Sequence, residues 1–167
     1  GYAPITILTG LMVQLVAPVL FQRAGDASDA NRVKQVHIFN WRLTMGALLL
    51  TGLATLCALA LHRFIFHWFV APDYREVSWL LPGMVLAGGI FATGQFATIS
   101  LLSDVETRNL IAPKIMTAII GVLLNVIGAA QWGITGVVGA GIIASAIYLT
   151  WILWLVKNRR AQIQVKA

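Results

Sequence analysis

Charged residues are scarce in this sequence. They make up 11% of its 167 residues, whereas about a quarter of the residues in an ordinary soluble domain are charged. Hydrophobic residues make up 59%, so the few charged side chains cannot cover the surface of a water-soluble domain of this length. The hydrophobic excess excludes intrinsic disorder, and a single cysteine, Cys57, excludes a disulfide-framed scaffold. The composition indicates an integral membrane protein or a part of one.

The sequence also lacks the motifs of an enzyme. It contains no HExxH, no Walker loop and no GxSxG, and its three histidines have no metal-ligand spacing. The glycine-rich run at 133–141 lies inside a membrane-length apolar segment with no strand before it, so it is not a dinucleotide loop. We interpret Cys57 as a packing residue rather than a nucleophile. We therefore expect no catalytic residues, no cofactor and no metal site.

Long stretches without a charged residue dominate the sequence. They cover residues 1–22, 43–62, 77–103 and 115–156. A membrane-spanning helix needs about 20 apolar residues, so the first three stretches each predict one span, and the third is long enough to bend near Pro82 or the Gly88-Gly89 pair. The fourth predicts two spans joined by a tight turn at Gln131-Trp132-Gly133. The sequence thus predicts an all-α polytopic membrane protein with five transmembrane helices, at about 1–22, 43–62, 77–103, 112–130 and 134–156.

Basic residues are unevenly distributed between the predicted loops. The five predicted spans place residues 23–42, 104–114 and 157–167 on one side of the membrane, and these segments contain ten of the twelve Lys and Arg. The loops on the opposite side contain only Arg63 and Arg75. Basic loops stay in the cytoplasm, so we expect the first helix to enter from outside and the C-terminus to be cytoplasmic. The same distribution argues against binding to nucleic acid, because the bases are spread over the loops rather than gathered on one face.

The segment between the first two predicted spans has an amphipathic pattern. Residues 26–41 begin with possible helix caps at Asp26 and Asp29, and apolar residues then recur at helical spacing among basic ones. This pattern predicts a short helix that lies on the cytoplasmic membrane surface. Interfacial packing is the plain interpretation of this helix, and gating is the functional one.

Three amide side chains lie within the predicted spans: Gln14, Gln95 and Asn125. An amide in hydrocarbon is costly unless it meets a partner or a water-filled cavity. One interpretation is hydrogen bonding between helices, which would also engage the threonines of the spans. The other is that the three amides face a hydrated cavity and contact a polar substrate. No Asp or Glu lies within a predicted span, so the sequence shows no proton or sodium site.

Three segments together resemble a known family. They are Val-Ala-Pro-Val-Leu-Phe-Gln at 16–22, Val-Ala-Pro-Asp-Tyr at 70–74, and an asparagine-bearing helix, a tight turn and the start of a glycine-rich helix at 125–140. This layout is similar to that of the polysaccharide flippases of the multidrug/oligosaccharidyl-lipid/polysaccharide exporter superfamily, the Wzx-like O-antigen translocases. Members of that family build two six-helix bundles and move lipid-linked oligosaccharides across the inner membrane by alternating access.

The resemblance implies more than the residues themselves do. The five spans would form most of one six-helix transporter bundle, and the chain would be a C-terminal-half fragment that lacks its N-terminal half. The location would be the bacterial inner membrane, and the partners would be membrane lipids and a lipid-linked oligosaccharide of the undecaprenyl-pyrophosphate type. By position, Arg23, Arg42 and Arg108 are the loop bases best placed to attract the pyrophosphate at the cytoplasmic mouth, although membrane topology alone also explains them.

Other functions remain open at this point. Another exporter of the same superfamily, carrying drugs or lipid precursors, would have the same layout, although a drug exporter is expected to carry a carboxylate in a span. A membrane scaffold without transport is favoured if the amides face lipid or are paired in a dry interface. An intramembrane glycosyltransferase is expected to have acidic residues in an outer loop, where only Asp73 and Glu76 occur. We expect Gln95 and Asn125 to share an interior face.

Overall fold

The computed structural model describes the backbone of residues 30–69, 72–103 and 108–166, and within these the side chains of 38–68, 76–98 and 112–158. Every described residue is helical. The elements are α1 at Ala30–Phe69, a 3-10 helix at Pro72–Leu80, α2 at Leu81–Ser103 and a long helical segment at Arg108–Lys166. The predicted all-α class is confirmed for this part of the chain.

Three helices in the described part of the chain are long and apolar enough to cross a membrane. Their apolar stretches are Ile38–Trp68, Glu76–Thr98 and Ala112–Asn158. They overlap all the predicted spans except the first, at 1–22, which lies outside the described residues. The predicted count of five transmembrane helices therefore stays a prediction.

The long helical segment reverses direction at Gly133. This residue has φ 59° and ψ −138°, a conformation that glycine adopts readily and that a residue with a Cβ rarely does. We call the part before the reversal α3 (108–132) and the part after it α4 (134–166). The tight turn predicted at Gln131-Trp132-Gly133 is thus confirmed.

After the turn, α3 and α4 pack against each other as an antiparallel pair. A Cβ on Gly128 would lie 2.5 Å from the carbonyl oxygen of Gly136, so the two backbones touch. Farther from the turn, Gly121 faces Ala144, whose Cβ would lie 3.6 Å from a Cβ on the glycine. Small residues of this kind are typical of close helix pairs in membranes, because they let the backbones approach.

α1 is a single helix of 40 residues. Residues 30–41, most of the segment predicted to lie on the membrane surface, form its first turns and continue into the apolar span without a break. They follow the axis of the span rather than forming a separate surface helix. The physical reason is that these residues contain neither Gly nor Pro, so nothing interrupts the helical hydrogen bonds.

The 3-10 helix leads directly into α2. Pro82 lies in the first turn of α2, where the missing N–H of a proline has no helical partner to lose. The helix type changes from 3-10 to α at Leu81, next to this proline. α2 then runs unbroken through Gly88 and Gly89 to Ser103.

α2 lies between α1 and α4. It meets α1 where Gly89 contacts the side chain of Thr51. On the opposite side, a Cβ on Gly83 would lie 2.7 Å from the Val138 side chain, and Gly94 is as close to the ring of Tyr148. Residue numbers rise together along the second interface, so α2 and α4 are parallel.

The glycines of the run at 133–141 contact two different neighbouring helices. Gly136 faces α3 and Gly141 lies against Ala87 of α2, whereas no described residue of another helix lies within 4 Å of the Cβ position of Gly139. An α-helix has 3.6 residues per turn, so residues three apart rotate by about 60° at each step and cannot all face one neighbour.

The outer surface of the described helices is apolar. Along α1, the side chains of Leu49 and Leu53 are more than 60% exposed. Exposed tryptophans mark one end of the helices: Trp68 near the end of α1, Trp79 just before α2 and Trp132 at the turn. An apolar midsection with aromatic residues at its border matches the composition of a surface that faces a bilayer.

Candidate functional site

A cavity of about 630 Å³ lies between α2, α3 and α4. It is open on one side, where Ala118 and Val137 of its wall are exposed. Most of the wall is apolar, and a few polar side chains from all three helices interrupt it, which is typical of ligand sites. These polar residues are Gln95 on α2, Lys114, Thr117 and Asn125 on α3, and Ser145 and Tyr148 on α4.

Each of the three helices contributes one face to this cavity. Residues three or four apart, or multiples of that spacing, lie on the same side of a helix, and the wall residues follow this rule on every helix. They are Met84, Ala87, Phe91 and Gln95 on α2, Lys114, Thr117, Ala118 and Asn125 on α3, and Val137, Val138, Gly141, Ala144, Ser145 and Tyr148 on α4.

Gln95 and Asn125, which the sequence predicted to share an interior face, both line this cavity. They lie at different depths along it. The helix contacts place Gln95 near the level of Tyr148 and Asn125 near the level of residue 140. At 1.5 Å per residue this separation is about 13 Å. The two amides therefore follow one another along the cavity rather than facing each other as a pair.

The amide of Asn125 is held by its own helix. Its Nδ2 donates a hydrogen bond to the carbonyl oxygen of Gly121 at 2.8 Å. An asparagine side chain has two N–H groups and a carbonyl oxygen, so this single bond fixes the amide without using its full capacity. The side chain is half-buried at the cavity wall and retains groups with which to bind a polar ligand.

The buried threonines form their hydrogen bonds mainly along their own helices. Thr44, Thr93 and Thr117 each donate to the carbonyl oxygen four residues earlier. Bonding between helices, the plain interpretation from the sequence, is thus not what satisfies these hydroxyls. The hydroxyl of Thr98 is different, since it also lies 3.1 Å from the hydroxyl of Tyr148 on α4.

Tyr148 is fixed from several directions at the cavity wall. Its hydroxyl is hydrogen-bonded with Thr98, and its ring lies directly against Gly94. The ring of Phe91 lies beside it, with the centroids 5.2 Å apart and the planes tilted by 33°. Only 2% of Tyr148 is exposed, and it belongs to a buried cluster with Ile152. This part of the wall is therefore rigid.

Lys114 is the charged residue of this wall, and the sequence analysis counted it only as a loop base. A signal for its position existed, because Lys114, Thr117 and Asn125 are separated by three and eight residues and so share one face of a helix. Phe91 and Tyr148 could not be identified from the sequence, since aromatic residues in an apolar span have no feature that marks them as cavity residues.

Of the remaining predicted site residues, only Arg42 has a described side chain, and it does not line the cavity. Arg42 is exposed on α1 and lines a separate groove between α1 and α2, next to Phe96. Arg108 begins α3, but its side chain is not among those described. Gln14 and Arg23 lie outside the described residues. Among the described residues, the cavity wall thus contains two of the three predicted amides. Its basic residue is Lys114 rather than one of the predicted arginines.

No group of three or more His, Cys, Asp and Glu side chains that could hold a metal ion occurs among the described residues. The chemistry that this cavity offers is hydrogen bonding from amides and hydroxyls, one positive charge and an aromatic surface. Comparisons of the chain with protein families, with curated proteins and with solved structures give no match.

Proposed function

We propose that this chain is part of a polytopic membrane transporter that flips a lipid-linked oligosaccharide across the bacterial inner membrane by alternating access. The observation that supports this proposal is the cavity between α2, α3 and α4, whose apolar wall carries polar side chains from three helices. A sugar chain cannot enter hydrocarbon unaided, because its hydroxyls would lose their hydrogen bonds with water. Gln95 and Asn125 offer replacement hydrogen bonds along the cavity.

The open side of the cavity fits a substrate with a lipid tail. Ala118 and Val137 at its edge are exposed. An undecaprenyl tail remains in the hydrocarbon on this side while its head group occupies the cavity. In the orientation that the basic loops favour, the C-terminus is cytoplasmic and Lys114 lies at the cytoplasmic end, where its charge attracts the pyrophosphate.

This cavity favours transport over a scaffold role. A scaffold would pair its amides in a dry interface, because an unpaired amide in hydrocarbon destabilises the fold. Here Gln95 and Asn125 lie apart along one open cavity. An exporter of drugs or lipid precursors from the same superfamily would use the same cavity, and the identity of the transported lipid distinguishes the two.

The proposal is tested by reconstituting the full-length protein in vesicles with a fluorescent undecaprenyl-pyrophosphate oligosaccharide. Movement of the lipid is measured with a membrane-impermeant quencher. We expect the double variant Gln95→Leu, Asn125→Leu to flip the lipid at least about tenfold more slowly, because two hydrogen bonds of about 1 kcal/mol each are lost along the path.

The matched control is Gln131→Leu, which removes an exposed amide at the turn, outside the cavity wall. This variant should flip the lipid at the wild-type rate. Wild-type vesicles that move the lipid no faster than protein-free vesicles would contradict the proposal. Transport of a drug or of a sugar-free lipid precursor instead would favour the other exporter class.

A further inference from the structure

Phe91 lies at the boundary between the packed interior and the cavity. It is half-buried, contacts the buried cluster around Tyr148, and also forms part of the cavity wall. The ring is therefore supported by the cluster and also contributes surface to the cavity. No step of the hydrogen-bonding path described above uses this aromatic surface.

The position of the Phe91 ring is fixed by its neighbours. It packs on Tyr148 at 5.2 Å between ring centroids, and Tyr148 is itself held by Thr98 and by contact with Gly94. An aromatic ring held in this way presents a rigid surface, so a ligand that stacks on it loses its own freedom but does not have to order the protein.

The surroundings of Phe91 are polar. Gln95 lies one helical turn from it on the same face of α2, and Asn125 lies on the other side of it along the cavity axis, across on α3. Ser145 adds a hydroxyl from α4, and Lys114 lies at the end of the cavity nearest Gln95. This part of the wall thus combines one aromatic surface with an amide on each side.

A sugar ring is complementary to this arrangement. It presents C–H groups on its faces and hydroxyls around its rim. The C–H face packs on the electron-rich face of an aromatic ring, and amides bind hydroxyls because they both donate and accept hydrogen bonds.

We propose that Phe91, supported by Tyr148, is a stacking surface for a sugar ring of the head group, with Gln95 and Asn125 binding hydroxyls on either side. The proposal rests on the function proposed above and adds to it a residue that determines specificity. It makes the cavity selective for lipids that already carry sugar. An attached sugar is then what distinguishes a substrate from the bare polyprenyl pyrophosphate in the same membrane.

The test compares two fluorescent short-chain lipids, a polyprenyl pyrophosphate that carries one N-acetylhexosamine and the same lipid without sugar. Their binding to the purified full-length protein in micelles is measured by fluorescence anisotropy. We expect the wild type to bind the sugar-bearing lipid about tenfold more tightly. Phe91→Leu should reduce this preference severalfold, because only the amides then bind the sugar, and leave the affinity for the sugar-free lipid unchanged, while Phe91→Trp should retain the preference.

The matched control is Phe96→Leu, since Phe96 is also half-buried on α2 but lines the groove shared with α1. This variant should keep the preference. If Phe91→Leu does not fold, Phe91→Met, which keeps more of the side-chain volume, supplies the same comparison.

Three results would overturn the proposal. A tenfold preference that survives loss of the aromatic ring would overturn the stacking role and leave lipid flipping intact. Equal binding of both lipids by the wild type would also overturn the stacking role and leave lipid flipping intact. A wild type with no affinity for either lipid would overturn the stacking role and the proposed function together.

Discussion

Replacing Gly136 with alanine is expected to lower the free energy of unfolding by about 3 kcal/mol. The added Cβ would collide with the carbonyl group of Gly128 on the facing helix. A backbone carbonyl cannot rotate away as the end of a side chain can, so α3 and α4 would have to separate or the turn at Gly133 would have to deform. Either change also widens the cavity between α3 and α4.

The matched control for this substitution is Gly139→Ala on the same helix. No residue of another helix in the described ranges lies within 4 Å of the Cβ position of Gly139, and alanine is a better helix former than glycine by up to about 1 kcal/mol. Its stability should equal or exceed that of the wild type. The measurement is unfolding of the micelle-bound protein by SDS, followed by tryptophan fluorescence. Equal stability of the two variants would contradict the close contact between α3 and α4.

A charge on the exposed side of α1 should have a comparably large effect. Leu53 is 61% exposed and lies at the middle of the apolar stretch Ile38–Trp68. If hydrocarbon surrounds this side chain, Leu53→Arg costs about 3 kcal/mol at the centre of the helix. If water surrounded it, the same substitution would be nearly neutral, because an exposed arginine is well hydrated.

This effect is measured as the fraction of protein that resists extraction from membranes at alkaline pH. We expect Leu53→Arg to reduce that fraction severalfold, since about 3 kcal/mol shifts an insertion equilibrium by more than tenfold and snorkelling of the long side chain recovers part of it. Leu53→Ala keeps the position apolar and should behave as the wild type does. Full membrane retention of the arginine variant would show that this side of α1 is not in lipid.

The sequence predicts those parts of the fold that the bilayer itself imposes. Spans could be predicted because hydrocarbon excludes charge over a fixed thickness. The turn at Gly133 could be predicted because Gln131-Trp132-Gly133 is the glycine-bearing polar interruption placed to divide the 42-residue stretch 115–156 into two spans. The common cavity of Gln95 and Asn125 followed from the same reasoning, since amides in an apolar segment need a polar environment.

The sequence does not predict which helices pack against each other, so features that depend on this packing were not predictable. The glycines at 136, 139 and 141 all lie in one glycine-rich run of α4. Gly136 faces α3 and Gly141 faces α2, whereas Gly139 contacts no described residue of another helix. Arg42 and Lys114 are both bases near span ends, and only the packing of α2, α3 and α4 places Lys114 in the cavity wall and Arg42 outside it. Tertiary contacts, rather than local propensity, determine the neighbours of each of these residues.

The threonines show why one of the two interpretations of the polar residues fails for most of their hydroxyls. A hydroxyl in an apolar span must have a partner, but the partner nearest to it is the carbonyl oxygen one turn earlier in its own helix. Thr44 and Thr93 use that carbonyl. Their burial therefore gives no information about neighbouring helices, whereas Thr98 adds a contact with Tyr148 that joins α2 to α4.

Chemical labelling of Cys57 tests most directly whether lipid surrounds these helices. This cysteine is exposed on α1, one turn from Leu53, so only the surrounding solvent decides whether a water-soluble maleimide reaches it. With Cys57 as the sole cysteine of the full-length protein, we expect no modification in intact membranes from either side and complete modification after denaturation, because the reactive thiolate forms only in water. Rapid modification in intact membranes, at the rate of a water-exposed thiol, would contradict the account.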